Sequence, residues 1–413
     1  MIAANRDFDL FDLIIAGGGL VGASLACALG GRGLRIGILE AHPFGSRNQP
    51  SYDDRSIALS YGSKRIFSAM GIWSTLTNDA SPIRHIHISN RGQFGFTRLH
   101  SDEAHTHALG YVIENRVLGQ ALAARLQQLP DVQVISPARV VDLNNEGEFA
   151  TVTAETAQGP EQFTARLLVA ADGHDSSVRQ LLNVGVRETQ YEQSAIIANV
   201  TPEKFHNDVA YERFTDTGPL ALLPLTEQRC SLVWTVRPAQ VEAMMAWSDE
   251  EFAAHLYDRF GARLGRFVKI GKRAQYRLSL LEAQQHIKPR VALIGNAAHT
   301  LHPVAGQGFN LGLRDVAALA QVIHEAMHNK QDIGAMLVLE NYLRWRAADH
   351  ARVVAFTDFL ARVFTQPWTP VARARNAALL LVDFLPPAKR ALLRQSMGLA
   401  GKLPRLARGL ALD

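Results

Sequence analysis

The sequence predicts an α/β protein with an α+β second domain, helices at its C-terminal end, and one sheet that is parallel. Three observations predict this. A short apolar run at residues 12–16 leads straight into a glycine-rich turn and a helix of small residues. Two later apolar runs, at 166–171 and 291–294, also end abruptly in polar loops, the pattern of buried parallel strands whose C-terminal edge meets a ligand. Between them, residues 187–281 alternate apolar and polar in places, which predicts a mixed or mostly antiparallel second sheet. At 413 residues, 47% hydrophobic and 20% charged, the chain has the make-up of a globular protein rather than a disordered one, and it is long enough for two domains.

The first element is the strand Asp12-Leu-Ile-Ile-Ala16, followed by Gly17-Gly18-Gly19-Leu20-Val21-Gly22. Gly17 permits the tight turn, Gly19 lets backbone approach a pyrophosphate, and Gly22 lets the next helix lie close to the strand. Residues 23–29 continue as that helix, whose N-terminus offers free N–H groups and partial positive charge to an anion. A second strand at 34–39 ends in Glu40, about 20 residues on, where an acid accepts from an adenosine ribose and repels a 2′-phosphate. The unit is therefore Rossmann-like and favours FAD or NAD over NADP as the tightly held ligand.

The uncharged run 13–31 reaches the length of a membrane-spanning helix, but Gly17, Gly18, Gly19 and Gly22 break it. A second apolar stretch, 376–382, closes at Asp383. The N-terminal residues carry Asp7 and Asp9 and no apolar signal segment. Cys27 and Cys230 form no C-x-x-C pair, which argues against a disulfide framework and against zinc. The expectation is a chain that does not span a bilayer and works in the reducing cytoplasm.

The second polar loop reads Asp172-Gly173-His174-Asp175-Ser176-Ser177-Val178-Arg179. The third reads Gly295-Asn296-Ala297-Ala298-His299 and, two residues later, Leu301-His302-Pro303-Val304-Ala305-Gly306-Gln307-Gly308-Phe309-Asn310. With the glycine turn, these resemble in order the three signatures of the flavoprotein aromatic hydroxylases of the para-hydroxybenzoate hydroxylase type. Further stretches look like that family's ubiquinone-biosynthesis branch: residues 53–59 (Asp53-Asp54-Arg55-Ser56-Ile57-Ala58-Leu59), 86–92, 110–116, 212–219 and 230–234. Within the branch they look most like the hydroxylases of 2-octaprenyl-6-methoxyphenol. The resemblance covers about residues 10–365 and fades in the basic tail.

The resemblance implies tightly bound FAD, NAD(P)H as a transient reductant and O2 as co-substrate, with a flavin C4a-hydroperoxide attacked by an electron-rich, lipophilic phenol para or ortho to its hydroxyl. The segment of Asp172 would serve FAD and the passing nicotinamide. Gly295, Asn296, Gly306, Gln307, Gly308 and Asn310 would hold the ribityl chain and ring, with Arg55 and Arg116 near the flavin and its phosphates. His302, Pro303 and Gln307 are the flavin-face candidates, and no acid–base dyad is expected because the flavin carries the chemistry. The helix expected from Gly308 to Met327 would aim its N-terminus at the flavin's pyrimidine edge. Position 296 is Asn where the wider family has Asp, which keeps one acceptor oxygen and loses the charge.

The implied layout places an FAD-binding domain in parts 1–80, 111–186 and 287–350, a substrate domain in parts 81–110 and 187–286, and a basic helical region at 351–413. Apolar runs at 195–200 and 220–225 suit a prenyl channel and a one-sided sheet core equally. From Trp345 onward, 11 Lys/Arg face 4 Asp/Glu, so the net charge of +4 is a property of the C-terminal end. Arg373, Arg375, Lys389, Arg390, Arg394, Lys402, Arg405 and Arg408 alternate there with Leu and Ala. That pattern fits a solvated helix face, peripheral contact with the inner face of the cytoplasmic membrane, or an acidic partner such as a protein of a ubiquinone-biosynthesis complex. No motif supports nucleic acid. The pairs His85/His87 and His105/His107, and His299 with His302, lack an evident third ligand, so no metal is expected. A hydroxylase of another ubiquinone-pathway phenol or of a small phenol, and a non-catalytic FAD-binding assembly subunit, remain as alternatives. A halogenase would need a W-x-W-x-I-P segment, which the sequence lacks.

Overall fold

The computed structural model describes residues 10–45, 55–93, 95–301, 306–363 and 385–412. In the first sheet, Leu10–Ala16 lies between Ile36–Leu39 and Gly159–Ala170, with Val132–Ile135 and Val291–Leu293 outside them, all parallel. Ile287–Lys288 closes one edge antiparallel. Because successive side chains point to opposite faces, the two faces bury two apolar layers. Leu13, Ile15, Ile38 and Val169 pack with the helices Leu20–Leu29, Asn115–Leu126 and Gln307–His328. Phe11, Ile14 and Leu168 pack under the hairpin Ala138–Asn144/Ala150–Thr156. Burial on both sides is why these strands read as unbroken apolar runs.

The second sheet runs in the order His299–Thr300, Ala274–Ala283, Val186–Pro202, Cys230–Val236, Gly218–Pro224, Val209–Thr215, His85–Asn90 and Phe96–His100. Its pairings are antiparallel except that between Val209–Thr215 and His85–Asn90. Ile196, Val200, Leu220, Leu222, Leu232 and Trp234 cover one face under the helices Pro238–Ala246 and Asp249–Phe260. Leu223 and Leu225 pack on a three-stranded sheet made of Ser56–Ser60, Gly110–Glu114 and Ser81–Ile83. Residues 220–225 are therefore sheet core, while Ala195 and Ile197 face a cavity.

A boundary at residue 350 would cut the helix Met336–Val363, which holds no glycine or proline to end it. Residues 385–412 pack against the rest of the protein. The helix Pro386–Ser396 buries Leu393, which with Met397 meets Leu99 and Leu109; Leu406, Ala407 and Leu412 enter the main core. Lys402 stands 4.2 Å over the Trp345 ring and Lys389 is 2.9 Å from Glu103. Arg390, Arg394 and Arg408 remain exposed. Arg373, Arg375 and the 376–382 run lie outside the described residues. Among the described residues no helix is long and apolar enough to cross a membrane.

Candidate active site

The glycine turn is held by contacts that leave no room for a side chain. Gly17 adopts φ +99°, and a Cβ at Gly22 would stand 2.0 Å from the Gly17 carbonyl oxygen. The helix Leu20–Leu29 starts at Gly19 with no side-chain cap and no acid in its first turn, so its leading N–H groups are open to an anion. Glu40 does more than the sequence suggested: Gly18 N–H donates to Oε2 at 2.6 Å and His42 N–H to Oε1 at 2.9 Å. The acid thus fixes the turn, and each carboxylate oxygen retains acceptor capacity.

The second and third loops are tied together by side chains. Buried Arg179 donates to the carbonyls of His174, at 2.7 Å, and Ala297, at 3.0 Å, and the His174 ring lies 3.1 Å from Thr300 Oγ1. The Asp172 carboxylate turns toward the helix Ser177–Leu181, accepting from Ser177 Oγ and Val178 N–H. Gly173 and His174, rather than that carboxylate, line the cavity. The third loop hangs on Asp315, which is completely buried. Its Oδ2 accepts from Gly295 N–H at 3.0 Å and His299 Nε2 at 2.7 Å; its Oδ1 accepts from Arg346 Nε at 2.7 Å and His350 Nε2 at 2.8 Å. Burial alone would raise the Asp315 carboxyl, but Arg346, His299 and His350 hold it well below the usual carboxylate range. Burial pushes His350 down to about 4. His299, Asp315 and His350 present their ligand atoms within 4.8 Å of one another, but the guanidinium already on that carboxylate makes the cluster an ion-pair network rather than a cation cage.

Asn310, expected to touch the cofactor, is committed to the protein. Its Oδ1 accepts from Ser60 N–H and Ser63 Oγ, and its Nδ2 donates to Ala58 and Gly306 carbonyls, all between 2.6 and 2.8 Å. With its amide groups so engaged, its side chain positions the Gly306 turn. His302 and Pro303, and the Asp53-Asp54 pair, lie outside the described residues.

The three loops open on one cavity of about 2450 Å³, well above the few hundred to thousand cubic ångström of a site for one small ligand. Gly19, Arg55, Arg116, Gly173 and Asn296 line it from below, and Ala195, Ile197, Val233 and Tyr276 from the sheet above. Asn296 is exposed into it. Arg55 lies 5.1 Å over the Tyr276 ring, and Arg116 bonds Glu114, which also receives Arg229 at 2.7 Å. The helix Gln307–His328 begins at Gly306, φ +60°, without a side-chain cap or a first-turn acid. Among the described residues, a Cβ at Gly308 would meet nothing within 4 Å. Two uncapped helix starts, open space over Gly308 and an exposed amide on one long cleft fit FAD: the first start for its pyrophosphate, Asn296 for a ribityl hydroxyl, and the second start for its ring. Arg179, Asp315, Arg346 and Glu114 were missed as site-building residues. Arg179 carried a signal, as the last residue of its motif; buried partners on other helices gave Asp315 and Arg346 none.

Comparison with known proteins agrees with this geometry. The family model described as FAD binding domain matches residues 11–357. Ubiquinone hydroxylase UbiL of Rhodospirillum rubrum is 38% identical, over 97% of this chain and 93% of its own. The 3-demethoxyubiquinol 3-hydroxylase of Escherichia coli is 32% identical, over 94% and 98%. Among solved structures, p-nitrophenol 4-monooxygenase PnpA from Pseudomonas putida shares the fold, with a TM-score of 0.79 at 18% identity over 95% of this chain and 99% of that one.

Proposed function

The chain belongs to the FAD binding domain family and, within it, to the hydroxylases of ubiquinone biosynthesis, and from that premise we propose that it hydroxylates a 2-polyprenyl-6-methoxyphenol at the carbon para to its hydroxyl. It is an FAD-dependent aromatic-ring monooxygenase. Bound FAD supplies oxygen activation, with electrons from NAD(P)H; the chain supplies placement. The start of the Leu20–Leu29 helix, with Arg55 and Arg116, holds the phosphates, and Glu40 accepts from the ribose. Asn296 takes a ribityl hydroxyl. The N–H groups of Gln307 and Gly308 face the ring edge where negative charge gathers on reduction. Ala195, Ile197, Val233 and Leu301 give the chamber an apolar wall for a prenylated ring.

The observation that carries this reading is the convergence of both uncapped helix starts and Asn296 on a cleft roofed by those apolar side chains. Exposed Arg390 and Arg394 support a peripheral meeting with an anionic membrane face, where such a lipid resides. The test is the lipid extract of cells lacking the protein. Accumulation of 2-polyprenyl-6-methoxyphenol supports the assignment. Accumulation of a different ring overturns the para position.

A further inference from the structure

Glu212 occupies an unusual place for a carboxylate. One cross-strand row runs through Ile197, Val233, Ala221, Glu212 and Ile88, and register partners share a face. Ile197 and Val233 line the cavity, so Glu212 points to the chamber side of the sheet. The neighbouring row confirms this orientation. Ile196, Trp234 and Leu220 lead there to Arg213, which donates to the Phe260 carbonyl at 2.6 Å on the helix-covered face. One pair along from Glu212, Ala210 and Leu223 pack on Ala58, and Ala58 Cβ is 3.1 Å from where a Cβ at Gly306 would stand. The sheet face that bears Glu212 thus closes over the helix start assigned to the flavin ring.

Among the described residues, the groups that face Glu212 carry no charge. They are Ile88 and Ala221 beside it, Ile86, Ala210 and Leu223 one pair back, and Asn90, Phe214 and Pro219 one pair on. The packed three-stranded sheet adds Ala58, Ile83 and Val112. The charged residues of the adjoining wall, Glu114 and Arg229, are paired with each other. Among the described residues Glu212 makes no hydrogen bond or ion pair. Burial alone pushes its carboxyl up to about 7, and the residue keeps some accessible surface. An unpaired carboxyl in such surroundings is costly. A ligand that donates to it offsets that cost.

We propose that Glu212 is the group that receives the substrate's ring hydroxyl and holds its proton during hydroxylation. This rests on the phenol reading above and adds the residue that recognises the phenol. The hydroxyl proton passes to the Glu212 carboxylate and the O–H electron pair conjugates into the ring. The para carbon then bonds to the incoming oxygen atom, whose bond to its other oxygen breaks with the pair leaving on that oxygen. The para carbon loses its own hydrogen as a proton, which neutralises the departing oxygen through solvent. Glu212 returns the first proton to the ring oxygen as the ring regains aromaticity.

The experiment compares wild-type holoenzyme with Glu212→Gln from pH 5.5 to 9, using 2-methoxyphenol bearing a short prenyl chain at position 6 and the same compound with its hydroxyl methylated. Binding is read from the absorbance change of the bound flavin, and hydroxylated product is counted per NAD(P)H oxidised. Wild type should lose product as pH falls through about 7 and should bind the free phenol more tightly than the methylated compound. E212Q should retain FAD, lose both the pH step and the preference for the free phenol, and make roughly a hundredfold less product. A variant with the wild-type pH profile and preference overturns the role of Glu212. Wild type that binds the phenol pH-dependently but never hydroxylates it overturns the proposed function instead, while loss of that dependence in E212Q would still uphold Glu212 as the recognising group.

Discussion

At the scale of single residues, space and charge decide what each position tolerates. A methyl group at Gly22 has nowhere to go, because the Gly17 carbonyl stands 2.0 Å from its place. Gly22→Ala should therefore purify with well under half the FAD of wild type, read from the ratio of flavin to protein absorbance; full flavin content would contradict the close packing. Glu212 makes a prediction about stability. Its carboxyl is raised in the folded state, so between the ordinary value of 4.5 and about 7 the folded chain binds a proton the unfolded chain does not. Stability contributed by that proton is present at low pH, is lost as pH rises through this window, and stays lost above it. Glu212→Gln should raise unfolding stability at pH 8 by on the order of 2 kcal/mol and change it little at pH 4.5, measured by denaturant titration at both pH values. An equal effect at both would mean that the charge is not the cause. The glycine turn was legible in the sequence because its demands are local: strand, turn and helix lie within residues 12–29. The true task of Asn310 was not, since its partners Ser60 and Ser63 are some 250 positions away.

At the scale of elements, the helices Gln307–His328 and Met336–Val363 are stapled by Asp315 and Arg346, and the staple reaches the third loop through Gly295 and His299. Removing the Asp315 charge leaves buried Arg346 with Asp349 as its remaining counter-ion, so the cost stays below the roughly 3–5 kcal/mol of a buried charge left wholly unpaired. Asp315→Asn should lower unfolding stability by a measurable part of that amount and release FAD, checked by thermal unfolding with flavin fluorescence. A variant of wild-type stability would show that the network is not closed. Asp315 is also depressed in the folded state, so its contribution is present above the ordinary carboxylate range and lost as pH falls below it. The strands were predictable because apolar runs bounded by glycine have few alternatives. The staple was not, because charged residues on helices usually face solvent, and only the packing of two helices shows that these do not.

At the scale of the whole molecule, the C-terminal end belongs to the body that holds the cofactor. Leu406 and Leu412 lie in the core with Ile66 and Phe67, and Gly62 N–H donates to the Met397 carbonyl at 2.8 Å, two residues from Ser60 of the Asn310 network. A basic amphipathic pattern reads the same whether its apolar face meets lipid or protein, which is why the sequence left the choice open. Deleting residues 385–413 should lose soluble, flavin-bound protein. Arg390→Glu with Arg394→Glu should keep FAD and weaken binding to anionic vesicles severalfold in a flotation assay; unchanged flotation would assign those arginines to solvent alone. The central claim is that the three loops meet along one FAD, under a sheet that admits a phenol to its ring. A single turnover tests it most directly: holoenzyme reduced without oxygen, mixed with a short-chain 2-prenyl-6-methoxyphenol, then exposed to 18O2, with the product analysed by mass spectrometry. The account predicts one heavy oxygen on the ring, para to the hydroxyl, for each flavin reoxidised. Flavin reoxidation that leaves the phenol unlabelled would contradict it.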